Sequence, residues 1–257
     1  MSSSDQNATA VLFRGLHKPG QPLVLGNVYD AATASIMVSL PSAKAIATAS
    51  FAIAAVEGVY DDDMTREQNL AAIKKIAAVV VPHKPLTADL QDGYEDIQDT
   101  IRRVIELGVV GCNIEDVDCK SRKLRTLEDA VQRIKLAVVA AKEVGVPDFA
   151  VNARTDVLGH GGSIEDAIER GKAFLAAGAN TVFVWGGPKG RGVSRDEVKI
   201  LVKALDGRLN VIKRLGDGFL SIAELKEIGV ARISVGPGLY LIAMDAYKSA
   251  AESLLSL

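Results

Sequence analysis

The sequence predicts one α/β domain that is built as a closed (β/α)8 TIM barrel. Eight short and almost continuously apolar runs alternate with amphipathic segments, as expected for parallel strands covered on both faces. A length of 257 residues is normal for a single barrel of this kind. No linker or low-complexity tract divides the chain. Residues 1–257 are therefore expected to form a single domain, with 1–20 as an N-terminal extension or helix.

The eight strands are predicted, in chain order, at residues 22–28, 43–48, 85–90, 110–115, 148–153, 180–185, 209–213 and 231–235. Between them, apolar residues recur every three or four positions in 65–80 and 126–144, which predicts a helix in each segment. Capping-box-like starts precede two helices, at 65–68 (TREQ) and 163–166 (SIED). A doubly wound open sheet is the alternative fold, but residues 27–30 (NVYD) after the first strand are not a glycine-rich nucleotide turn.

Composition excludes several classes of function. The formal net charge is −2 and the basic residues are spread out, so no footprint for nucleic acid is expected. No apolar run approaches the roughly 18 residues of a membrane span, and the first nine residues do not resemble a signal peptide. The two cysteines, Cys112 and Cys119, do not form a disulfide framework. A cytoplasmic protein without a membrane partner is the expectation.

Polar residues follow the predicted strands at their carboxyl ends, where a barrel of this type places its active site. Asp89 ends the third strand, Glu115 the fourth and Arg154 the fifth, while Asp61 lies in the loop after the second. Carboxylates that converge on one mouth repel each other unless a cation holds them. Oxygen ligands with few histidines favour Mg2+ or Mn2+ over zinc.

These strand ends resemble the isocitrate lyase and phosphoenolpyruvate mutase superfamily. The similar stretches occur in the family's order and cover roughly residues 20 to 245: 29–34 (YDAATA), 47–50 (ATAS), 88–94 (ADLQDGY), 113–116 (NIED), 152–156 (NARTD) and, more weakly, 229–236 (GVARISVG). The resemblance implies a Mg2+ enzyme that acts on a 2-oxo acid or its enol. It implies that Asp89 binds the metal directly and that three further residues hold metal-bound waters: Asp61, Gln91 and Glu115.

The resemblance also implies a set of substrate-binding and catalytic residues. Ser50 and the following backbone N–H groups, including that of Phe51, would bind the substrate carboxylate. Arg154 would bind the leaving phosphoryl or carboxylate group through two parallel hydrogen bonds. Lys120, in a polar loop after the fourth strand, would reach the substrate as part of a mobile lid. The remaining predicted substrate-binding residues are Tyr29, Asp30 and Asn152.

Two departures from the family pattern bear on the reaction. Gln91 stands where the family often has Asp or Glu, so one negative charge beside the metal is lost. The loop at 117–123 (VDCKSRK) lacks the Gly-His of isocitrate and methylisocitrate lyases. Cys119 is therefore expected to be a structural loop residue, with a catalytic role as the alternative. The same loop lacks the Asn of the mutases' usual Lys-x-Asn.

The sequence therefore predicts a Mg2+-dependent lyase, decarboxylase or hydrolase that cleaves a carbon–carbon bond in a small 2-oxo or 2-hydroxy diacid. Phosphorus–carbon chemistry, as in phosphonopyruvate hydrolase or phosphoenolpyruvate mutase, is the alternative reaction. A barrel that has lost activity and serves as a binding or scaffold protein is the third possibility. The resemblance further implies a homodimer or homotetramer in which the last helix, about 238–255, is exchanged between subunits.

Overall fold

Eight parallel strands close into a barrel in sequential order from β1 to β8. The structure is a computed structural model that describes residues 2–187, 192–216 and 218–256. The strands are β1 (Leu23–Val28), β2 (Ile46–Thr48), β3 (Leu86–Asp89), β4 (Gly111–Glu115), β5 (Ala150–Thr155), β6 (Thr181–Val184), β7 (Leu209–Ile212) and β8 (Arg232–Ser234). The predicted TIM barrel is confirmed, and every strand overlaps its predicted run; β5 continues two residues further, to Thr155.

Ten α-helices accompany the strands in the described part of the chain: α1 (Ser3–Gly15), α2 (Ala31–Ser39), α3 (Ser50–Val56), α4 (Arg66–Val80), α5 (Ile97–Glu106), α6 (Leu127–Glu143), α7 (Ile164–Ala176), α8 (Arg195–Ala204), α9 (Ile222–Ile228) and α10 (Gly238–Leu255). The β2–β3 connection departs from one helix per strand, because α3 and α4 flank a 3-10 turn at Asp61–Asp63. The predicted capping boxes are present: Thr65 and Ser163 each accept a backbone hydrogen bond three residues on, and that residue's side chain accepts one in return. None of the described helices is long and apolar enough to cross a bilayer.

Helix α1 packs against the amino-terminal side of the barrel. Phe13 is fully buried in the hydrophobic core, and Gln6 Nε2 donates to the carbonyl oxygens of Ile105 at 2.8 Å and Val109 at 2.9 Å. Gly111 makes room for this contact, because a Cβ at that position would lie 2.7 Å from Phe13 Cε1. The N-terminal segment is therefore part of the barrel's core packing, and the cavity described below opens at the other end.

Helix α10 is different, because none of its residues is buried in the single chain. Its contact with the barrel includes Tyr240, whose ring packs edge-to-face against that of Tyr29 with 5.2 Å between centroids. Further along the helix, Ile242 is 52% exposed and Tyr247 is 74% exposed. An 18-residue helix of this apolar composition leaves a large hydrophobic surface in contact with water.

Candidate active site

A cavity of about 670 Å3 lies inside the barrel towards the carboxyl ends of the strands. Its lining includes most of the residues that the sequence predicted: Ser50, Phe51, Asp61, Asp89, Gln91, Glu115, Asn152 and Arg154. Small side chains, Ala47 and Ala49, line it on the side of β2. The fold thus brings residues from four consecutive strands and the segments that follow them, β2 to β5, together around one space.

Asp89 is held at the end of β3 by contacts to both carboxylate oxygens. Oδ1 accepts a hydrogen bond from Asn113 Nδ2 at 3.1 Å, and Oδ2 accepts one from the backbone N–H of Ser50 at 3.2 Å. The Asp89 backbone N–H donates to Thr48 Oγ1 at 2.8 Å. The carboxylate therefore has one defined orientation before any ligand arrives.

A chain of hydrogen bonds extends from Asp89 around the barrel interior. Asn113, Asn152 and Thr181 are register partners on β4, β5 and β6, so their side chains share the inward face. Thr181 Oγ1 donates to Asn152 Oδ1 at 2.6 Å, and Asn152 Nδ2 donates to Asn113 Oδ1 at 2.9 Å. Asn152 was predicted to bind substrate; it lines the cavity, but these contacts engage both ends of its amide. The sequence assigned no role to Asn113 or Thr181, although their inward register could have pointed to them.

Gln91 connects the β3 end to the 3-10 turn after β2. Its Nε2 donates to the backbone oxygen of Asp61 at 2.6 Å and to Asp61 Oδ1 at 3.1 Å. Its Oε1 is buried and has no hydrogen-bond partner among the residues described. The backbone of Gln91 has φ 52°, in the left-handed region, which turns the side chain back over the cavity. An acceptor without a donor is thus left beside the predicted metal site.

Arg154 is anchored by two carboxylates. Nε and Nη2 each donate to Asp156, both at 2.6 Å, while Nη1 lies 2.8 Å from Glu115 Oε2. The guanidinium also lies over the ring of Trp185, 4.7 Å from its centroid. The sequence predicted that this fork would bind a ligand, whereas its Nε–Nη2 edge is already taken by Asp156. Sequence reasoning placed Asp156 at the strand end without assigning it a partner, and the i, i+2 spacing is the signal that could have paired the two.

The carboxylates in the cavity raise one another's proton affinity. Burial, together with the charge of Asp89, raises the pKa of Asp61 to about 6. Burial raises the pKa of Glu115 well above its ordinary value, and nearby Asp156 and Asp89 add to this while Arg154 opposes it. Such a group of crowded acids is stabilised by a cation in their midst.

The donor set fits a metal that keeps most of its water. No three His, Cys, Asp or Glu side chains of the described residues are grouped closely enough to bind one ion directly. Mg2+ is usually bound through one or two carboxylates and retains several waters. Asp89 offers one such carboxylate, and the unpartnered Gln91 Oε1 is an acceptor that a metal-bound water could occupy.

Lys120 and Cys119 lie in the loop between β4 and α6. Lys120 is 77% exposed on its side chain, pairs with Glu95 Oε1 at 2.7 Å and does not line the main cavity. It lines a neighbouring cavity of about 550 Å3, to which Asp62 and Cys119 also contribute. Cys119 Sγ lies 3.9 Å from Glu115 Oε1, and burial raises the pKa of its thiol. In this arrangement Lys120 is held away from the carboxylates of the main cavity.

Tyr29 and Asp30, also predicted to bind substrate, do not line the cavity. Asp30 begins α2 as its N-cap, where Oδ1 accepts from the backbone N–H of Thr33 at 2.7 Å and from its hydroxyl at 2.8 Å. Tyr29 packs against Tyr240 of α10 instead. A carboxylate that directly follows a strand can begin the next helix as readily as it can serve a site.

Comparison with known proteins identifies the family. The phosphoenolpyruvate phosphomutase family matches residues 13–255. An uncharacterized protein of Mycobacterium tuberculosis is 31% identical, covering 94% of this chain and 88% of its own length. The 2,3-dimethylmalate lyase of Eubacterium barkeri is 27% identical over 86% of this chain and 77% of its own length.

Solved structures show the same barrel. A crystal structure from Burkholderia cenocepacia J2315 superposes with a TM-score of 0.87 at 33% identity, covering 96% of this chain and 99% of that one. A crystal structure of 2,3-dimethylmalate lyase superposes with a TM-score of 0.83 at 27% identity, covering 96% of this chain and 87% of that one. Together with the strand-end residues around the cavity, these matches establish that the chain belongs to the phosphoenolpyruvate phosphomutase family, in the superfamily that includes isocitrate lyase.

Proposed function

We propose that this chain is a Mg2+-dependent lyase, decarboxylase or hydrolase that cleaves a carbon–carbon bond in a small 2-oxo or 2-hydroxy diacid, with Mn2+ as an alternative ion. The observation that carries the proposal is the fixed Asp89 carboxylate, which shares one cavity with Asp61, Gln91, Glu115 and Arg154. A relative that aligns over most of the chain is named as a lyase of 2,3-dimethylmalate, which is a diacid.

The metal would be held by Asp89 directly and by Asp61, Gln91 and Glu115 through water. When bound, Mg2+ polarises a 2-oxo group and stabilises the negative charge of the enolate that remains after bond cleavage. The raised pKa of Asp61, about 6, supports the proposal, because a cation would favour the ionised carboxylate there. Metal binding would also relieve the electrostatic repulsion between the neighbouring carboxylates.

The substrate carboxylate would bind at the start of α3, where Ser50 and Phe51 line the cavity. The N-cap residue Ala49 makes no side-chain cap, and the Ser50 N–H donates to Asp89, so the N–H groups that follow Ser50 in the first turn are available to an anion. Arg154 would stabilise the charge that develops on the departing group, because Asp156 and Glu115 hold its guanidinium in place at the cavity wall. Lys120 would act only after the loop that carries it has moved, since Glu95 now holds it outside the main cavity.

Phosphorus–carbon bond chemistry is the second candidate reaction, and the family match to phosphoenolpyruvate phosphomutase favours it. A binding role without catalysis is the third, and the neutral Gln91 among the predicted metal residues favours it. The three differ in what they release: a carbon fragment, phosphate or neither.

The test is a screen of 2-oxo and 2-hydroxy diacids, together with phosphonopyruvate, in the presence of Mg2+ or Mn2+. Pyruvate, glyoxylate, oxalate and phosphate are assayed as products. We expect a carbon product whose release is abolished by chelation and by Asp89→Ala, with the circular dichroism spectrum retained. Phosphate release from phosphonopyruvate would establish the second candidate instead. Metal-dependent ligand binding that changes Trp185 fluorescence, without formation of any product, would support the third candidate, a binding role without catalysis.

We also propose that the protein is a homodimer or homotetramer in which α10 packs against a second copy of the chain. Support comes from the absence of any buried residue in this helix and from its exposed apolar side chains, among them Leu241 and Ile242. Exchange of α10 between subunits would cover this surface.

A further inference from the structure

Arg232 lies on the inward face of β8, deeper in the barrel than the residues discussed above. Its register partners are Leu23 on β1 and Asn210 on β7, and it is the first residue of β8, at the amino end of the strand. Arg232 is 3% exposed, yet it lines the main cavity. The cavity therefore reaches from the carboxylates down to a buried guanidinium.

No carboxylate in the described ranges lies within ion-pairing distance of Arg232, whereas the other arginines that line the cavity, Arg122 and Arg154, are paired. Its Nη1 faces His17 Nε2 at 3.4 Å, and its Nε has no hydrogen-bond partner. His17 supplies no negative charge, because its Nδ1 donates to the Phe13 carbonyl oxygen at 2.8 Å and leaves Nε2 as a neutral acceptor. A cation removed from water without a contacting counter-charge is unfavourable.

Further polar groups near this level of the barrel lack partners. Thr87 Oγ1 and Asn210 Oδ1 are both buried without a hydrogen bond to any described residue. Thr87 lines the same cavity as Arg232. A hydroxyl donor and a guanidinium N–H donor in the lining of one cavity are thus left unsatisfied by the described residues.

We propose that the floor of the cavity around Arg232 is a binding site for a small monovalent inorganic anion such as chloride. The Nε–H of Arg232 and the hydroxyl of Thr87 would donate hydrogen bonds to it. This site is separate from the proposed substrate carboxylate site at Ser50 and does not depend on which reaction the cavity supports. It would supply the counter-charge that none of the residues described in the structure provides.

The anion would also strengthen metal binding. Asp89 and Arg232 line the same cavity, so their opposite charges attract each other across it. Burial lowers the pKa of Arg232 to about 10, and Cys112 and Asp89 oppose this shift. A divalent cation at Asp89 would offset that attraction and leave Arg232 more in need of an anion. Each ligand would then favour the other, as linkage between two sites requires.

Bromide is the probe, because it substitutes for chloride and is identified by its anomalous X-ray scattering. Crystals grown in sodium bromide are expected to show an anomalous peak at Arg232 Nε. The affinity for Mn2+ is expected to be roughly fivefold higher in bromide than in methanesulfonate, a larger anion, at equal ionic strength. Arg232→Met should lose both the peak and the bromide effect, while Arg102→Gln, which removes an arginine from an exposed pair with Glu143, should keep them.

Where Arg232→Met fails to fold, Thr87→Val tests the same site with the arginine retained, and it should weaken both signals. Water alone at Arg232, with equal Mn2+ affinity in the two salts, would overturn the proposal. So would a bromide peak that is unchanged in Thr87→Val and has no effect on Mn2+ affinity, which would mark an adventitious ion only.

Discussion

Single residues in the cavity are constrained by partners that also compete with ligands. Arg154 is the clearest case. Asp156 accepts hydrogen bonds from Nε and Nη2 on one edge of its guanidinium, and Glu115 pairs with Nη1. A ligand must therefore bind to the remaining N–H groups or take Glu115 away from the arginine. A metal held near Glu115, as proposed, would loosen that contact, and the metal and the arginine would then share a carboxylate.

Arg154→Lys is expected to reduce turnover. A lysine cannot span both oxygens of Asp156 while also contacting Glu115, so the charge at the cavity wall loses its fixed position. We expect a loss of roughly 2–4 kcal/mol in transition-state stabilisation, the range for one preorganised charge-stabilising group. Steady-state kinetics should show the change in kcat as well as in KM. The matched control is Arg103→Lys, which alters an exposed bidentate pair with Glu67 outside the cavity; equal effects of the two substitutions would remove Arg154 from the mechanism.

Gln91→Glu is expected to tighten Mg2+ binding while destabilising the metal-free protein. The new carboxylate would face the backbone oxygen and Oδ1 of Asp61, both of which now accept hydrogen bonds from Nε2. A divalent cation would relieve this repulsion. Isothermal titration and thermal unfolding with and without Mg2+ measure the two effects.

The control for added charge is Gln68→Glu, because Gln68 uses its side-chain oxygen only within the exposed capping box of α4. If Gln91→Glu binds Mg2+ no more tightly than Gln68→Glu does, Gln91 is not next to the metal.

At the scale of elements, the parallel register decides which side chains meet. Asn113, Asn152 and Thr181 share a level because their strands pair in register, and their hydrogen bonds run in one direction towards Asp89. The segment that follows α1 is connected to β8 in a similar way, through His17 and Arg232. Elements far apart in sequence are thus joined by polar contacts as well as by the apolar core.

The contact between His17, just after α1, and Arg232 of β8 should make stability depend on pH. Burial and the charge of Arg232 lower the pKa of His17 to about 3, whereas in the unfolded chain it has an ordinary value of about 6.5. As the pH falls, His17 therefore becomes protonated in the unfolded chain at a higher pH than in the folded chain. The contribution of neutral His17 is complete above pH 6.5 and is lost as the pH falls towards 3, with a slope of at most about 1.4 kcal/mol per pH unit.

Chemical denaturation of wild type and His17→Gln between pH 4 and 7 measures this contribution, because the substitution removes one titrating group and leaves the others. The difference in unfolding free energy between the two proteins should change with pH as stated. Two curves that stay parallel across the range would show that His17 titrates normally in the folded chain.

The strands were predictable because each is a short apolar run. Glycines Gly108 and Gly229 lie at helix ends, where they adopt positive φ of 87° and 106°. The cavity residues were predictable as a group, since the carboxyl ends of parallel strands meet. The pairing of side chains was not predictable. Nothing in the order of residues shows that Asp30 caps α2 or that Lys120 pairs with Glu95. Those outcomes depend on loop geometry, which periodicity does not encode. No role was predicted for Arg232, because the residue order does not show that its charge is buried.

Over the whole molecule, hydrophobic surface is distributed unequally. The barrel buries its apolar residues in one core cluster, whereas α10 exposes Leu241, Ile242, Met244 and Tyr247. Apolar surface of this extent on one helix is typical of an interface.

We expect wild type to be dimeric or larger and Ile242→Glu to shift it towards the monomer. The substitution should leave each barrel folded, because no residue of α10 is buried in the single chain. Light scattering after size exclusion, with circular dichroism as a check on folding, measures both. Lys248→Glu, a change of charge at an exposed polar position of the same helix, should not alter the mass. A wild-type protein that is monomeric at all accessible concentrations would contradict the proposed assembly.

The two alanines on the β2 side, Ala47 and Ala49, form a part of the cavity wall that has no reactive or charged side chain. Neither Ala47 nor Ala49 has a polar side-chain atom, so neither takes part in the chain of hydrogen bonds that orients Asp89. Enlarging one of them to valine would shrink the space without touching a charged group. Relatives with the same strand-end residues could therefore diverge in the length or branching of the acids they accept through changes at such positions alone. For the same reason, these alanines are where a laboratory evolution experiment on ligand size should begin.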